Sequence, residues 1–402
     1  MARADLDALF KKAEKAYNTT IGSMDSITTN TQFLTTGNLG IDYVLGGGIP
    51  LGRTTELAGA SSSGKTTTAL QAAADLQRII IAGGDEEKGI FADDVILYMD
   101  YEHAMDKSYA KSLGLNVNHD SFAFSQPDTL EEGAEIILRA VETGSVRLVI
   151  VDSVAAMQPR AIKDSEVGKA TIGVVAKLLK EFGTSLNPIA HENNCAVVFI
   201  NHEYDQIGGF SPVGTPQITA GGKALKYFAS VRVSYRQKSQ KRAKVIDPIT
   251  KEEVQRPVAT DVNIKVVKNK VAPPFRQTVA RVRYGKGFDN FWAAVTILLS
   301  HKYIVYNSSF KFHRLEEHGL APEWMTRAQT GAKAPYIKGE DNLVAAGDEH
   351  PEWADDIIAF ATKVLESVLD SDEEIADEDD DEESEDLNSI LGSPSKKIKL
   401  ND

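Results

Sequence analysis

The chain has 402 residues, of which 42% are apolar and 25% charged, which is enough for two or three domains and a sizeable core. The net charge is −14, but residues 370–386 carry 13 acidic and no basic side chains, so the remainder carries only −1 and a nucleic-acid partner is not excluded. The apolar runs are too short to span a membrane or to form a signal peptide, and the single cysteine, Cys195, excludes an internal disulfide. We therefore expect a cytoplasmic protein.

The first part of the chain precedes the core. Residues 3–17 place apolar side chains near one face and predict an amphipathic helix, followed by a polar stretch rich in Thr and Ser. This helix could dock on a neighbouring subunit or fold back on its own domain, and the residues favour neither. Glycines and a proline at 46–50 then predict a turn that leads into the first core strand, 54–58.

Continuous apolar strands then alternate with helices, a pattern typical of a parallel sheet that is covered on both faces. In such sheets ligands bind beyond the carboxyl ends of the strands. The predicted strands are 95–100, 146–151 and 196–200, and the predicted helices are 66–78, 134–141 and 173–186.

The last part of the chain is mixed. Further strands are predicted at 229–236, 261–270 and 277–284, and helices at 292–302 and 355–369. Residues 232–244 contain six basic side chains, which could hold a DNA strand or belong to an ordinary exposed hairpin. The acidic run that follows cannot form a core, so 370–402 should be a disordered tail.

A phosphate-binding loop connects the first core strand to the following helix. Residues 59–66 have the pattern Gly-x-x-x-x-Gly-Lys-Thr, in which backbone N–H groups and a helix N-terminus surround phosphate oxygens. Lys65 would reach the β- and γ-phosphates, and the Thr66 hydroxyl would bind Mg²⁺. The residues that we assign to nucleotide binding here are Gly59, Ala60, Ser61, Ser62, Ser63, Gly64, Lys65, Thr66 and Thr67.

Polar side chains at other strand ends would complete this site. Asp152 follows a buried strand and is a candidate Mg²⁺ ligand, although alone it would be read as a helix cap or a turn residue. Glu102 is a candidate for orienting and deprotonating water, and its alternative is a surface glutamate in a turn. Asn201 and His202 end a third strand, so all these groups should converge on one edge of the sheet.

Several stretches of the chain resemble the RecA family of DNA strand-exchange recombinases, in the family's order and over about residues 30–290. The resemblance implies that Glu102 activates water, that Tyr109 stacks on adenine, and that Lys268 and Lys270 reach into the ATP site of the neighbouring subunit. The matching stretches are residues 59–66, 100–106, 125–129, 149–156, 199–201, 221–226 and 266–275.

The resemblance also implies two DNA-binding loops, residues 163–177 and 206–222. Cations would bind phosphates there, while apolar and aromatic side chains would contact bases. The family usually has Gln at the position of His202, where it senses the γ-phosphate, and some phage recombinases of the UvsX kind resemble this chain in having His there. The residues that we assign to DNA binding are Lys169, Ile172, Lys177, Ile207, Gly208, Phe210, Gly221 and Gly222.

His202 makes this site unusual, because histidine also donates a hydrogen bond but titrates near neutrality. We therefore expect ATP-coupled DNA binding to depend on pH between about 6 and 7.5. The second loop is also slightly longer than in the family and contains two prolines, Pro212 and Pro216. In the family an acidic tail restrains access to duplex DNA, while the alternative here is a solubility tail.

The predicted fold class is α/β, a P-loop NTPase core like that of RecA with a mostly parallel twisted sheet. The predicted parts are an N-terminal helix and polymerisation linker (1–30), the ATPase core (31–288), a small α/β C-terminal domain (289–369) and the disordered acidic tail (370–402).

The predicted function is that of an ATP- and Mg²⁺-dependent recombinase that forms helical filaments of its own copies on single-stranded DNA and pairs it with homologous duplex DNA. Single-strand-binding and loading proteins are further expected partners. One alternative is a hexameric helicase or motor, against which the lack of a zinc or primase-binding module argues mildly. The other is a strand-coating protein with a degenerate ATP site, against which the intact Lys65, Thr66, Glu102 and Asp152 argue.

Overall fold

The computed structural model describes residues 3–17, 21, 31–165, 173–205, 217–246, 251–322, 324 and 335–375. The chain divides into two compact units, Met1–Gln32 and Phe33–Asp402. The first unit contains helix α1 (Arg3–Tyr17), which confirms the helix predicted from the apolar periodicity. Within this unit the backbone N–H of Ile21 donates to the Glu14 carboxylate at 2.8 Å.

The second unit is built on a ten-stranded sheet. Its strands are β3 (Thr54–Gly59), β6 (Val95–Asp100), β7 (Phe122–Ser125), β8 (Val146–Asp152), β9 (Ala196–Asp205), β10 (Gln217–Thr219), β11 (Val231–Ile246), β12 (Glu253–Lys268), β13 (Gln277–Arg283) and β14 (Gly287–Phe288). Their order across the sheet is β14-β13-β12-β11-β3-β9-β8-β6-β7, with β10 paired to β9. Neighbours from β11 to β7 are parallel, while β11 to β14 and the β9–β10 pair are antiparallel. The sheet is therefore mostly parallel, as predicted.

The remaining described strands form small sheets. One pairs two strands before the core, one lies beside the first core helix, and one has three strands near the C-terminus. They are β1 (Phe33–Leu34) with β2 (Ile49–Pro50), β4 (Gly84–Asp85) with β5 (Ile90–Phe91), and β15 (Val305–Tyr306), β16 (Phe310–Lys311) and β17 (Tyr336–Ile337).

The helices of the second unit cover both faces of the sheet and form the C-terminal part. They are α2 (Leu39–Leu45), α3 (Lys65–Ile81), α4 (Lys107–Ser112), α5 (Leu130–Glu142), α6 (Arg160–Lys163), α7 (Val174–Glu192), α8 (Ala224–Phe228), α9 (Asn290–Ser300), α10 (His313–Glu316), α11 (Glu340–Glu349) and α12 (Pro351–Ile375).

Strand β8 shows why its residues 148–151 are all apolar. Leu148 and Ile150 pack into one hydrophobic core, and the alternate residues Val149 and Val151 pack into a second core on the opposite face. Because successive side chains of a strand point to opposite faces, a strand buried on both sides needs apolar residues throughout. A third core, around Phe312 and the C-terminal helices, forms the rest of this unit.

Some elements differ from those expected. Helix α2 was not predicted in the glycine-rich stretch, although the Asn38 side chain caps it by accepting from the Ile41 N–H at 3.2 Å. The short strand β7 and helix α4 were also missed, because four to six residues give little periodicity. Helix α12 continues past residue 369 to Ile375, so residues 370–375 of the predicted disordered tail are helical. The remainder of the predicted disordered tail lies outside the described residues. In the described part of the chain, no helix is long and apolar enough to cross a membrane.

Candidate nucleotide site and DNA-binding loops

The phosphate loop runs from the end of β3 to the start of α3, as predicted. Gly64 ends the loop with a left-handed φ of 95°, and a Cβ there would lie 2.8 Å from the Phe288 ring, so glycine is required. Lys65 follows and is 4% exposed. Its Nζ donates to the carbonyl oxygens of Gly59 (3.0 Å) and Ala60 (2.7 Å). The ammonium group therefore lies within the loop that is predicted to bind phosphates.

The candidate metal ligands are in contact with each other. The Thr66 hydroxyl donates to Oδ2 of Asp152 at 3.0 Å, and the hydroxyl of Tyr98, on β6, donates to the same oxygen at 2.8 Å. Burial raises the pKa of Asp152, and both hydrogen bonds oppose that rise. One carboxylate and one hydroxyl suit Mg²⁺, which usually completes its shell with substrate phosphates and waters. The described residues contain no group of three or more His, Cys, Asp or Glu placed to hold a metal.

Glu102 lies at the adjacent strand end and is held by two neighbours. Its Oε1 accepts a short hydrogen bond from the Ser153 hydroxyl and lies 3.0 Å from Nε2 of His202. The side chain remains 33% exposed, so a water molecule can reach it. The structure therefore brings Glu102 and His202 together, and places them beside Asp152 through Ser153.

Tyr109 and Asn201 have different surroundings. The Tyr109 hydroxyl lies 2.8 Å from the Thr67 hydroxyl, which places this tyrosine beside the start of α3. Asn201 is fully buried, and its amide nitrogen donates to Oε1 of Glu56 (2.8 Å) and to the carbonyl oxygen of Ala220 (3.1 Å). Both hydrogens of that amide are therefore used within the chain.

Comparison with known proteins identifies this architecture. The family model of the RecA N-terminal domain matches residues 4–289. The chain belongs to the RecA family. It is 34% identical to Protein RecA of Campylobacter jejuni subsp. jejuni strain 81-176, over 95% of this chain and 98% of that protein. It is 32% identical to Protein RecA of Acinetobacter baylyi, over 95% and 97% of the two chains, and 39% identical to Protein RecA of Streptococcus sanguinis, over 64% and 62%.

Two lysines of this RecA-family chain are predicted to act on a neighbouring subunit's nucleotide. In the single chain, Nζ of Lys268 donates to the carbonyl oxygens of Lys226 (3.0 Å), Tyr227 (3.2 Å) and Ala229 (2.6 Å) at the end of α8. Lys270 is exposed. The bonds of Lys268 are to carbonyl oxygens outside the chain's own phosphate loop. The action of both lysines across a subunit boundary stays a prediction.

The two loops that are predicted to bind DNA are only partly described. Lys177 lies on the first turn of α7, 77% exposed and 3.8 Å from Glu181. Gly221 has a left-handed φ of 74°, and a Cβ there would lie 2.5 Å from Leu179. This gives Gly221 a packing role at the end of the second predicted loop. Gly222 also has a left-handed φ, of 67°, but a Cβ there would make only an ordinary contact, 3.4 Å from Ala176. Five predicted DNA contacts lie outside the described residues: Lys169, Ile172, Ile207, Gly208 and Phe210.

Several side chains that support the site were not predicted from the sequence. Ser153 holds Glu102, Tyr98 holds Asp152, and the amide nitrogen of Gln237 donates to the Ser62 carbonyl oxygen in the phosphate loop at 2.8 Å. Ser153 could have been found, because it directly follows the candidate metal ligand. Tyr98 and Gln237 lie on other strands, and only the strand order of the sheet brings them to the site.

Proposed function

We propose that the chain is an ATP- and Mg²⁺-dependent, DNA-stimulated ATPase that assembles on single-stranded DNA and pairs it with homologous duplex DNA in recombination and repair. The observation that carries this proposal is the convergence of Lys65, Thr66, Asp152 and Glu102 at one edge of the sheet. Membership of the RecA family supports the DNA-pairing part of the proposal. The single buried cysteine, Cys195, accords with a place in the reducing cytoplasm.

Lys65 would bind the nucleotide by exchanging partners. Its ammonium group now donates to backbone carbonyl oxygens of the loop, and phosphate oxygens would take their place because a charged acceptor forms the stronger hydrogen bond. Thr66 and Asp152 would hold Mg²⁺, which supplies positive charge to the β- and γ-phosphate oxygens when bound. Burial of Asp152 keeps water from competing for its oxygens.

Glu102 would orient a water molecule and accept its proton at a carboxylate oxygen. A general base must be within hydrogen-bond reach of the proton it removes, and the partly exposed Glu102 carboxylate is placed next to the predicted phosphate loop. Ser153 and His202 fix its orientation through Oε1. Because His202 lies near the end of β9, which leads into the second predicted DNA loop, it would report the nucleotide state to that loop.

Assembly would follow from the position of the remaining lysines. The ammonium groups of Lys268 and Lys270 would bind phosphate oxygens of the ATP held by the adjacent subunit. ATP would therefore strengthen the contact between copies, and hydrolysis would weaken it. The filament would hold one DNA strand extended for base pairing, and base pairing itself needs no catalytic group.

Replacing Lys65 tests the assignment. Lys65→Ala should abolish ATP hydrolysis, because the ammonium group that neutralises phosphate charge is lost. Lys363→Ala, which changes an exposed lysine on α12, is the matched control and should hydrolyse ATP like the unmodified protein. Persistent turnover in Lys65→Ala would refute the site. Turnover measured with and without single-stranded DNA separates an ATPase from a strand-coating protein, and joint-molecule formation rather than directional unwinding separates a recombinase from a helicase.

A further inference from the structure

A buried carboxylate that the proposed mechanism does not use lies in strand β3. Glu56 precedes the phosphate loop by three residues and is 0% exposed. A buried charge is stable only when it is paired and hydrogen-bonded. One oxygen of Glu56 accepts from the Asn201 amide at 2.8 Å, and the other forms a short ion pair with Nε of Arg232. Both oxygens of this carboxylate therefore have a partner, on the strands at either side of β3.

Through Asn201, Glu56 contacts the end of the second predicted DNA loop. The amide nitrogen of Asn201 also donates to the carbonyl oxygen of Ala220, at 3.1 Å, and its Oδ1 accepts from the His202 N–H at 2.9 Å. Because Glu56 can only accept hydrogen bonds, it fixes which end of the amide faces which neighbour. The position of Ala220 relative to β9 therefore depends on Glu56.

Through Arg232, Glu56 is linked to the predicted subunit boundary. Arg232 on β11 is the register partner of Lys268 on β12. The pKa of Lys268 is lowered first by burial and then by the nearby positive charges of Lys270 and Arg232, while Glu56 opposes that effect. The electrostatic potential at Lys268 therefore depends in part on how well Glu56 neutralises Arg232.

We propose that Glu56 is a positioning residue that couples the second DNA loop, through Asn201, to the nucleotide at the subunit boundary, through Arg232 and Lys268. This inference rests on the proposed function. When Lys268 binds phosphate, the balance of charge around Arg232 and Glu56 changes, and the hydrogen bond from Asn201 to Glu56 responds. DNA in the second loop acts on the same bond from the Ala220 side, so DNA binding and hydrolysis influence each other.

The test replaces Glu56 with Gln, which keeps its size and removes its charge. We expect the KM for ATP and the DNA-free turnover to stay within about twofold of the unmodified protein, while DNA-stimulated kcat falls by about tenfold or more. Thr55→Val is the matched control. Thr55 is the preceding residue of β3, is fully buried, and its hydroxyl has no hydrogen-bond partner in the described part of the chain, so DNA stimulation should persist.

A second variant covers the case in which Glu56→Gln does not fold because Arg232 is left unpaired. Glu56→Asp retains the charge but is too short to reach both partners, so it should fold and lose part of the DNA stimulation. Full DNA stimulation in the folded variants would overturn the inference, as would equal losses of DNA-free and DNA-stimulated turnover, which indicate a purely structural role. If the unmodified protein itself shows no stimulation by DNA, the proposed function fails and not this inference alone.

Discussion

The Tyr98 hydroxyl should control the Mg²⁺ dependence of ATP hydrolysis. Tyr98 is 1% exposed, and its hydroxyl donates at 2.8 Å to the Asp152 oxygen that also accepts from Thr66. A hydrogen bond to a buried charged group contributes about 1.5–3 kcal/mol. Tyr98→Phe removes this bond and keeps the ring that packs on Phe122 and Phe124. With Asp152 less firmly oriented, metal affinity should fall by about 10–100-fold, as is usual when a residue that orients a metal ligand is lost.

The assay is ATP turnover against Mg²⁺ concentration at fixed ATP, with single-stranded DNA present. Tyr101→Phe is the matched control, because Tyr101 lies just beyond the same strand, is 6% exposed, and its hydroxyl has no hydrogen-bond partner among the described residues. Its removal should leave the Mg²⁺ midpoint unchanged and should not destabilise the fold. If Tyr98→Phe remains folded and its Mg²⁺ midpoint lies within about twofold of that of the unmodified protein, Tyr98 does not orient Asp152 for the metal.

One further prediction concerns pH. The pKa of Asp42 is raised from 3.8 to about 6, chiefly by burial and against hydrogen bonds from Thr35 and Thr36. Protonation of Asp42 therefore stabilises the folded state fully below pH about 3.8, and this stabilisation is lost as the pH rises through about 6. It amounts to at most about 3 kcal/mol of the free energy of unfolding. When the free energy of unfolding is measured from pH 4 to 7, it should fall less steeply with pH in Asp42→Asn than in the unmodified protein. An identical slope in both proteins would contradict this role of Asp42.

Much of the fold could be predicted because the strands are buried on both faces. The continuous apolar runs at β6, β8 and β9 predict parallel strands, and the register that pairs Asp100 with Asp152 places their carboxyl ends at one level. The convergence of Glu102 and Asp152 with the phosphate loop follows from that rule alone. The boundaries of α3 and α7 were predicted less well, because helix ends depend on capping and packing more than on periodicity.

The supporting residues could not be predicted, because strands adjacent in the sheet are distant in the chain. Tyr98 contacts Asp152 only because β6 lies beside β8, and Glu56 contacts Asn201 and Arg232 only because β3 lies between β9 and β11. In the sequence, Glu56 is a single charged residue in an apolar strand, which gives no indication of its partners. Its role depends on the strand order, which the apolar pattern leaves open.

In the proposed function, ATP bound between adjacent copies stabilises a helical filament on single-stranded DNA. Electron microscopy of the full chain with single-stranded DNA and a slowly hydrolysed ATP analogue tests this proposal. We expect regular helical filaments that require the nucleotide. Protein that stays unassembled on the DNA at saturating nucleotide would contradict it.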